Sequence, residues 1–308
     1  LQREAQPGLR QIPPPPVSRI RPWLLAARPP TLWAAVAPVL VGGGLAADDG
    51  AFRWDVFAVT LVAAVLINIS VNFANDASDA HRGADSETRI GPTRAVASGL
   101  IPARSMWAGV AVCFALAAAA GIYLTSVAGW PILAIGVASL VAALGYTGGP
   151  LPYGYLGLGE VSVFLFFGLA ATVGSRFAHD SAAPLDSWLL AIPIGMLVTA
   201  ILVANNVRDI DTDRTAGKRT LAVMLGRPAT RHLFAVLVLG AFPLIAAFAA
   251  LGWTPAATAI AVAALPLAVP PVRTVYRETA GPALIAGLQG TARLHVVVGA
   301  LIGLGAAL

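Results

Sequence analysis

Nine stretches of about twenty mostly apolar residues recur along the chain, each long enough to cross a hydrocarbon bilayer core as an α-helix. They lie at 23–47, 54–78, 104–125, 130–147, 156–177, 186–208, 231–251, 254–272 and 285–307. A backbone inside lipid must satisfy its own hydrogen bonds, and only helices or closed barrels do so. Uninterrupted runs of this length point to helices, so the expected fold class is an all-α, polytopic membrane protein with nine transmembrane helices. Composition agrees. Charged residues make up 11% of the 308 residues, against about 25% in soluble domains. Gly, Pro and Ala within the runs permit close helix packing. The lone cysteine, Cys113, excludes an intramolecular disulfide.

Residues 1–22 are polar, basic and proline-rich, and read as a disordered cytoplasmic tail ahead of one transmembrane domain, 23–308. No cleavable apolar segment follows a short basic start, so this is not a signal peptide. With the N-terminus placed in the cytoplasm, 18 of the 20 Lys and Arg residues fall on the inner side, leaving only Arg53 and Arg176 outside. The positive-inside rule therefore predicts a cytoplasmic N-terminus and an outer C-terminus. The net charge of +5 belongs to this asymmetry and implies no nucleic acid.

Two apolar runs end in acid. "NFANDASDAHRGAD" (72–85) and "NNVRDIDTDRTAGKRTL" (205–221) each close an outside-to-inside span, with Asn72 and Asn206 134 residues apart. The recurrence suggests an internal duplication with parallel repeats. On a helix, Asn68, Asn72, Asp76 and Asp79 form one polar stripe flanked by Asn75, and Asn206, Asp209 and Asp213 share a second face, with Asp211 opposite. Intramembrane carboxylates are costly and mark function. Hard oxygen groups with no paired Cys or His suit Mg²⁺ rather than zinc. Arg82, Arg94, Arg208, Lys218 and Arg219 can bind phosphate oxygens that a metal leaves free. Lys218 is the only lysine beside 19 arginines. A Mg²⁺ site at a membrane surface, beside an apolar bundle, predicts a substrate with a diphosphate head and a long hydrocarbon tail. Departure of the diphosphate leaves an allylic cation that an electron-rich ring can capture.

These motifs resemble those of the UbiA superfamily of intramembrane prenyltransferases, over nearly the whole chain after the tail. "ARPPTLWAAVAPVLVG", "RIGPTRAVASGLI" and "GYTGGPLPYGYLGLGE" (27–42, 89–101 and 145–160) are most similar to its naphthoate branch. The resemblance implies transfer of a polyprenyl group from polyprenyl diphosphate to 1,4-dihydroxy-2-naphthoate, with decarboxylation, at the cytoplasmic face of the cell membrane. It also implies two Mg²⁺ ions, one held by Asn72, Asp76 and Asp79 and the other by Asn206, Asp209 and Asp213, with Asp85 a further ligand. Arg94, Lys218, Arg208 and Arg219 are its diphosphate binders. Arg28 faces the aromatic carboxylate or the diphosphate, Tyr146 steadies a cation, Glu160 contacts the acceptor's hydroxyls, and Asn68 joins the substrate-binding set. The spacing from Asp79 to Asp85 is longer than the commonest superfamily pattern and leaves Asp85 on a loop. The basic pair that hydroxybenzoate-type members carry after the Tyr–Thr of helix four is absent.

Plainer roles compete with these. Asp79 and Asp85 can cap a helix or pair with Arg82, Asp211 can pair with Arg208 or Arg214, and Tyr146 and Glu160 can serve packing and capping. Two functional alternatives also stand: a sister enzyme with a hydroxybenzoate, homogentisate or phosphoribosyl acceptor, and an ion-coupled transporter. A transporter places its acids near the midplane, whereas these clusters end helices on one side and lead into basic loops.

Overall fold

The computed structural model describes residues 20–81, 91, 93–148, 152–279 and 281–308. Among them the regular structure is entirely helical. Eight spans are long and apolar enough to cross a membrane, and a bent pair makes a ninth.

The bent pair is the first span. Helix α1 (Arg21–Ala27) meets a 3-10 turn at Pro29–Thr31 and then α2 (Trp33–Asp48), with a bend of 51°. "ARPPT" explains the break. Two prolines remove backbone donors, and the residue before a proline is driven out of the helical region. That residue is Arg28, which stands in the left-handed region at φ 53°.

Helices α3 (Trp54–His81), α4 (Ala103–Ala128) and α5 (Trp130–Thr147) follow. The next span is composite: α6 (Gly159–Val163), a π-helical stretch Phe164–Ala170, and α7 (Ala171–Asp180). Then come α8 (Leu185–Thr215) and α9 (Leu221–Ala250). A 3-10 helix, Ala256–Ala268, runs into α10 (Val269–Arg277), and α11 (Gly281–Ala306) closes the chain.

The centre of the bundle is α8. Its apolar window is 72% buried, against 17–44% for the other unbent spans. Leu190, Ile194, Leu197 and Val203 of α8 pack with Phe234, Ile245, Leu284 and Val298 from α9 and α11. Helices α2 and α11 approach closely because glycine faces backbone. A Cβ on Gly44 would stand 2.1 Å from the Gly303 carbonyl oxygen. Outward-facing Val112, Leu116 and Ile122 of α4 and Val137 and Val141 of α5 are exposed, as suits lipid rather than water.

The largest boundary differences from the sequence expectation lie in α8 and α9. Helix α8 runs seven residues past 208, so Asp209 and Asp213 ride on a continuous helix. Helix α9 begins at 221 rather than 231, because a kink at Gly226 (φ 76°) joins a short apolar segment, 221–225, to the main span.

Candidate active site

A cavity of about 360 Å³ opens between α3, α5, α7 and α8. One end is polar and is lined by Asn75, Asp79, Arg94, Asp209, Asp213 and Lys218. The other is apolar and reaches Leu124, Ile132 and Ala178. From Asp79 to Thr60, both in its wall, α3 rises about 28 Å at 1.5 Å per residue.

Asp79 is the hub of the polar end. It is 2% exposed. Arg94 Nη2 donates to its Oδ2 at 2.7 Å, and the Tyr155 hydroxyl donates to its Oδ1 at 2.5 Å. Lys218 Nζ stands 3.4 Å from Asp79 and 3.9 Å from Asp213. The two acidic motifs, one on α3 and one on α8, thus meet across a single ammonium. Asp209 accepts two bonds from the buried Arg208 guanidinium beside it, at 2.7 and 2.6 Å, and a third from Asn205 at 3.3 Å.

Asp76 departs from its expected role. It is 1% exposed and does not line the cavity. Its two oxygens accept backbone N–H bonds from Ala95 and Val96, at 3.0 and 2.9 Å. Its position on α3 is taken by Asn75, which lines the cavity and accepts from Thr147 Oγ1 at 2.8 Å. Helix geometry explains the exchange. At 100° per residue Asn75 and Asp79 lie within about 20° of Asn68, and Asp76 about 80° away.

Asn68 and Asn72 do line the cavity, but their amides face the break in the first span. Asn72 Nδ2 donates to the Ala27 carbonyl at 2.9 Å and lies 3.4 Å from Thr31 Oγ1. Asn68 Nδ2 donates to the Thr31 carbonyl at 3.2 Å. They replace donors that the break diverts, since the Thr31 and Ala35 N–H groups bond the Arg28 and Leu32 carbonyls instead, and between their two targets sits Arg28, itself in the cavity wall.

The remaining candidates divide. Tyr146 lines the cavity, edge-on to Tyr153 at 5.5 Å. Burial pushes the Tyr153 phenol up from its ordinary pKa, and its hydroxyl donates to the Ala142 carbonyl at 2.6 Å. Asn206 lines the cavity and donates to Glu160 Oε1 at 2.8 Å. Glu160 is buried behind it and does not reach the cavity, because the start of α6 turns it toward α8. Arg208 is likewise outside the wall, held by Asp209 and by Asn205 Oδ1 at 2.8 Å. Arg219 has an exposed side chain, and only its backbone N–H bonds inward, to the Tyr155 carbonyl at 2.9 Å. Asp211 pairs with Arg227 at 3.0 Å rather than with Arg208 or Arg214. Arg82 and Asp85 lie outside the described residues. Tyr155 is the residue that sequence reasoning missed.

The donor set fits Mg²⁺. Asn75 with Asp79, and Asp209 with Asp213, place side-chain oxygens one helical turn apart on facing helices. Among the described residues no three His, Cys, Asp or Glu side chains enclose an ion by themselves. Such an incomplete, oxygen-only set is what an ion that keeps waters and is completed by phosphate requires.

Comparison with known proteins gives a consistent picture. The model of the UbiA prenyltransferase family matches residues 35–288. A 1,4-dihydroxy-2-naphthoate octaprenyltransferase of Mycobacterium leprae is 39% identical over 276 residues, covering 89% of this chain and 92% of its own. The protein of that name from Escherichia coli is 36% identical, with 94% and 96% covered. Among solved structures, a UbiA homolog from Archaeoglobus fulgidus bound to DMAPP and Mg²⁺ superposes with a TM-score of 0.61 at 15% identity, over 91% of this chain and 98% of that one. The apo UbiA homolog from Aeropyrum pernix gives 0.63 at 16%, over 93% and 98%. The fold is theirs.

Proposed function

The chain belongs to the UbiA prenyltransferase family, and from that premise we propose that it transfers a polyprenyl group from polyprenyl diphosphate to 1,4-dihydroxy-2-naphthoate. The ring carboxylate leaves as carbon dioxide, and the product is the quinol form of demethylmenaquinone. The observation that carries this reading is the meeting of Asp79, Lys218 and Asp213 at the polar end of an otherwise apolar cavity. The names of the full-length relatives support the acceptor.

The cavity matches a substrate that is charged at one end and hydrocarbon at the other. Asp79 and Asp213, with Asn75 and Asp209, would hold two Mg²⁺ ions, which when bound offset charge on the departing diphosphate. Lys218 and Arg94 reach the same place and supply donors to its free oxygens. The small residues below, Ala63, Gly136, Ala143 and Ala171 among them, leave room for the tail and keep water from the cation. The Tyr146 ring lies in the wall between rim and chamber, where a π-face can stabilise positive charge. Arg28 offers a guanidinium to the acceptor's carboxylate. The allylic C–O bond breaks as diphosphate departs, the carboxylate-bearing ring carbon attacks the resulting cation, and loss of carbon dioxide restores aromaticity. The excess of basic residues in the loops at this end supports a site that faces the cytoplasm at the cell membrane.

Purified protein with Mg²⁺, a polyprenyl diphosphate and 1,4-dihydroxy-2-naphthoate should release diphosphate and form a prenylated naphthoquinone. Release with a hydroxybenzoate and not with the naphthoate would overturn the acceptor. Release with no aromatic acceptor at all would overturn the reaction.

A further inference from the structure

Tyr155 lies outside both acidic motifs, in a 3-10 turn at Tyr153–Tyr155 that leads toward α6. Three contacts meet on it. Its hydroxyl donates to Asp79 Oδ1 at 2.5 Å. Lys218 Nζ stands over its ring, 4.5 Å from the centroid. Its carbonyl accepts from the Arg219 N–H at 2.9 Å, tying down the loop that carries Lys218. One residue therefore touches the first motif through oxygen and the second through its π-face and its backbone.

The chemistry of lysine makes the ring contact matter. An ammonium on a four-carbon stem is mobile and strongly hydrated, and Lys218 stands at the outer limit of contact with both carboxylates, 3.4 and 3.9 Å away. Left to those bonds alone it would often swing into water. An aromatic face holds a cation without competing for its protons, so Lys218 can stay on Tyr155 while its N–H groups turn to a ligand. The hydroxyl of the same residue fixes the rotamer of the carboxylate opposite.

We propose that Tyr155 is the positioning residue that joins the two motifs, holding Asp79 by its hydroxyl and Lys218 by its ring so that a diphosphate meets both halves of the site at once. The proposal rests on the diphosphate reading above and is tested apart from turnover.

Binding of inorganic pyrophosphate with Mg²⁺, read as a thermal-shift titration, is compared in wild type, Tyr155→Phe, Tyr155→Leu, Lys218→Ala and the Tyr155→Leu/Lys218→Ala double variant. Steady-state KM values for prenyl diphosphate and naphthoate are measured beside it. Phe keeps the ring and loses the hydroxyl; Leu loses both. Tyr155→Leu should weaken pyrophosphate about tenfold and Tyr155→Phe about threefold, in line with a partly desolvated cation–π contact and one hydrogen bond. The KM for prenyl diphosphate should rise in step, with that for naphthoate unchanged. In the Lys218→Ala background Tyr155→Leu should add less than about threefold, because partners in one contact are not additive. An equal loss in both backgrounds, or wild-type pyrophosphate affinity in Tyr155→Phe, overturns the proposal, and the latter decides it even if the Leu variant does not fold. Pyrophosphate binding without prenyl transfer by the wild type sinks the acceptor chemistry and leaves Tyr155 to be judged by pyrophosphate.

Discussion

Asp76 and Asp79 are both buried carboxylates on one helix, and their partners give them different work. Asp76 satisfies two backbone N–H groups of the segment that also carries Arg94. Asp79 faces the cavity with Arg94, Tyr155 and Lys218 around it. Asp76→Asn keeps the shape but sets an amide donor against a buried N–H, and should cost about 1–3 kcal/mol. Its thermal midpoint should fall while the Mg²⁺ concentration for half-maximal activity stays unchanged. Asp79→Asn should instead raise that concentration more than about tenfold, through loss of a ligand charge. A Mg²⁺ titration of the two variants separates them, and an equal rise in both would return Asp76 to the metal site. The sequence leaves the two unresolved, because Asn75 and Asp76 precede Asp79 by four and three residues, about 40° and 60° away at 100° per residue, and both neighbour it on a helix. Nor was Tyr155 within reach of the sequence. A tyrosine among glycines and prolines carries no local signal, and its partners lie 76 and 63 positions away.

At the scale of elements, the nine spans could be read because length and hydropathy set them. The bend in the first is written in "ARPPT". The π-helical stretch Phe164–Ala170 could not be read, since its residues are apolar on every side and no periodicity marks the change of winding. Nor could the purpose of Asn68 and Asn72. A polar stripe looks the same whether it holds a metal or a neighbouring backbone, and only the packed first span shows the latter. Asn72→Ala leaves the Ala27 carbonyl without this buried donor and should cost about 1–3 kcal/mol. Arg28, strained at φ 53° between the two clamped points, should move with it. Activity should therefore fall along with the thermal midpoint, with the Mg²⁺ requirement unchanged, and Asn68→Ala, losing a longer bond, should do less. A shift in Mg²⁺ requirement without loss of stability would make Asn72 a ligand after all.

Across the whole molecule the charges separate by end. At the end away from the site, Arg53 pairs with Asp55 at 2.8 Å, and Arg176, 1% exposed, is held by Asp49 and Asp180 at 2.5 and 2.6 Å. Arg94, Arg208, Lys218, Arg227, Arg231, Arg273 and Arg277 follow or end spans at the other. We propose from this uneven belt that the site end faces the cytoplasm, which would open it to a diphosphate donor and an anionic ring acceptor from that side. Helix α8 makes the assignment testable. Its 31 residues extend about 46 Å at 1.5 Å per residue, more than the roughly 30 Å hydrocarbon core, so a membrane-crossing α8 would put its ends in opposite aqueous phases. Ala183 and Ala216 flank those ends and are exposed. The one native cysteine, Cys113, is buried and can be replaced by Ala to clear the background. In intact cells a membrane-impermeant maleimide should label Ala183→Cys and spare Ala216→Cys until the membrane is opened. The reverse pattern would put the Asp79–Lys218–Asp213 site on the outer face and require its substrates to arrive from there.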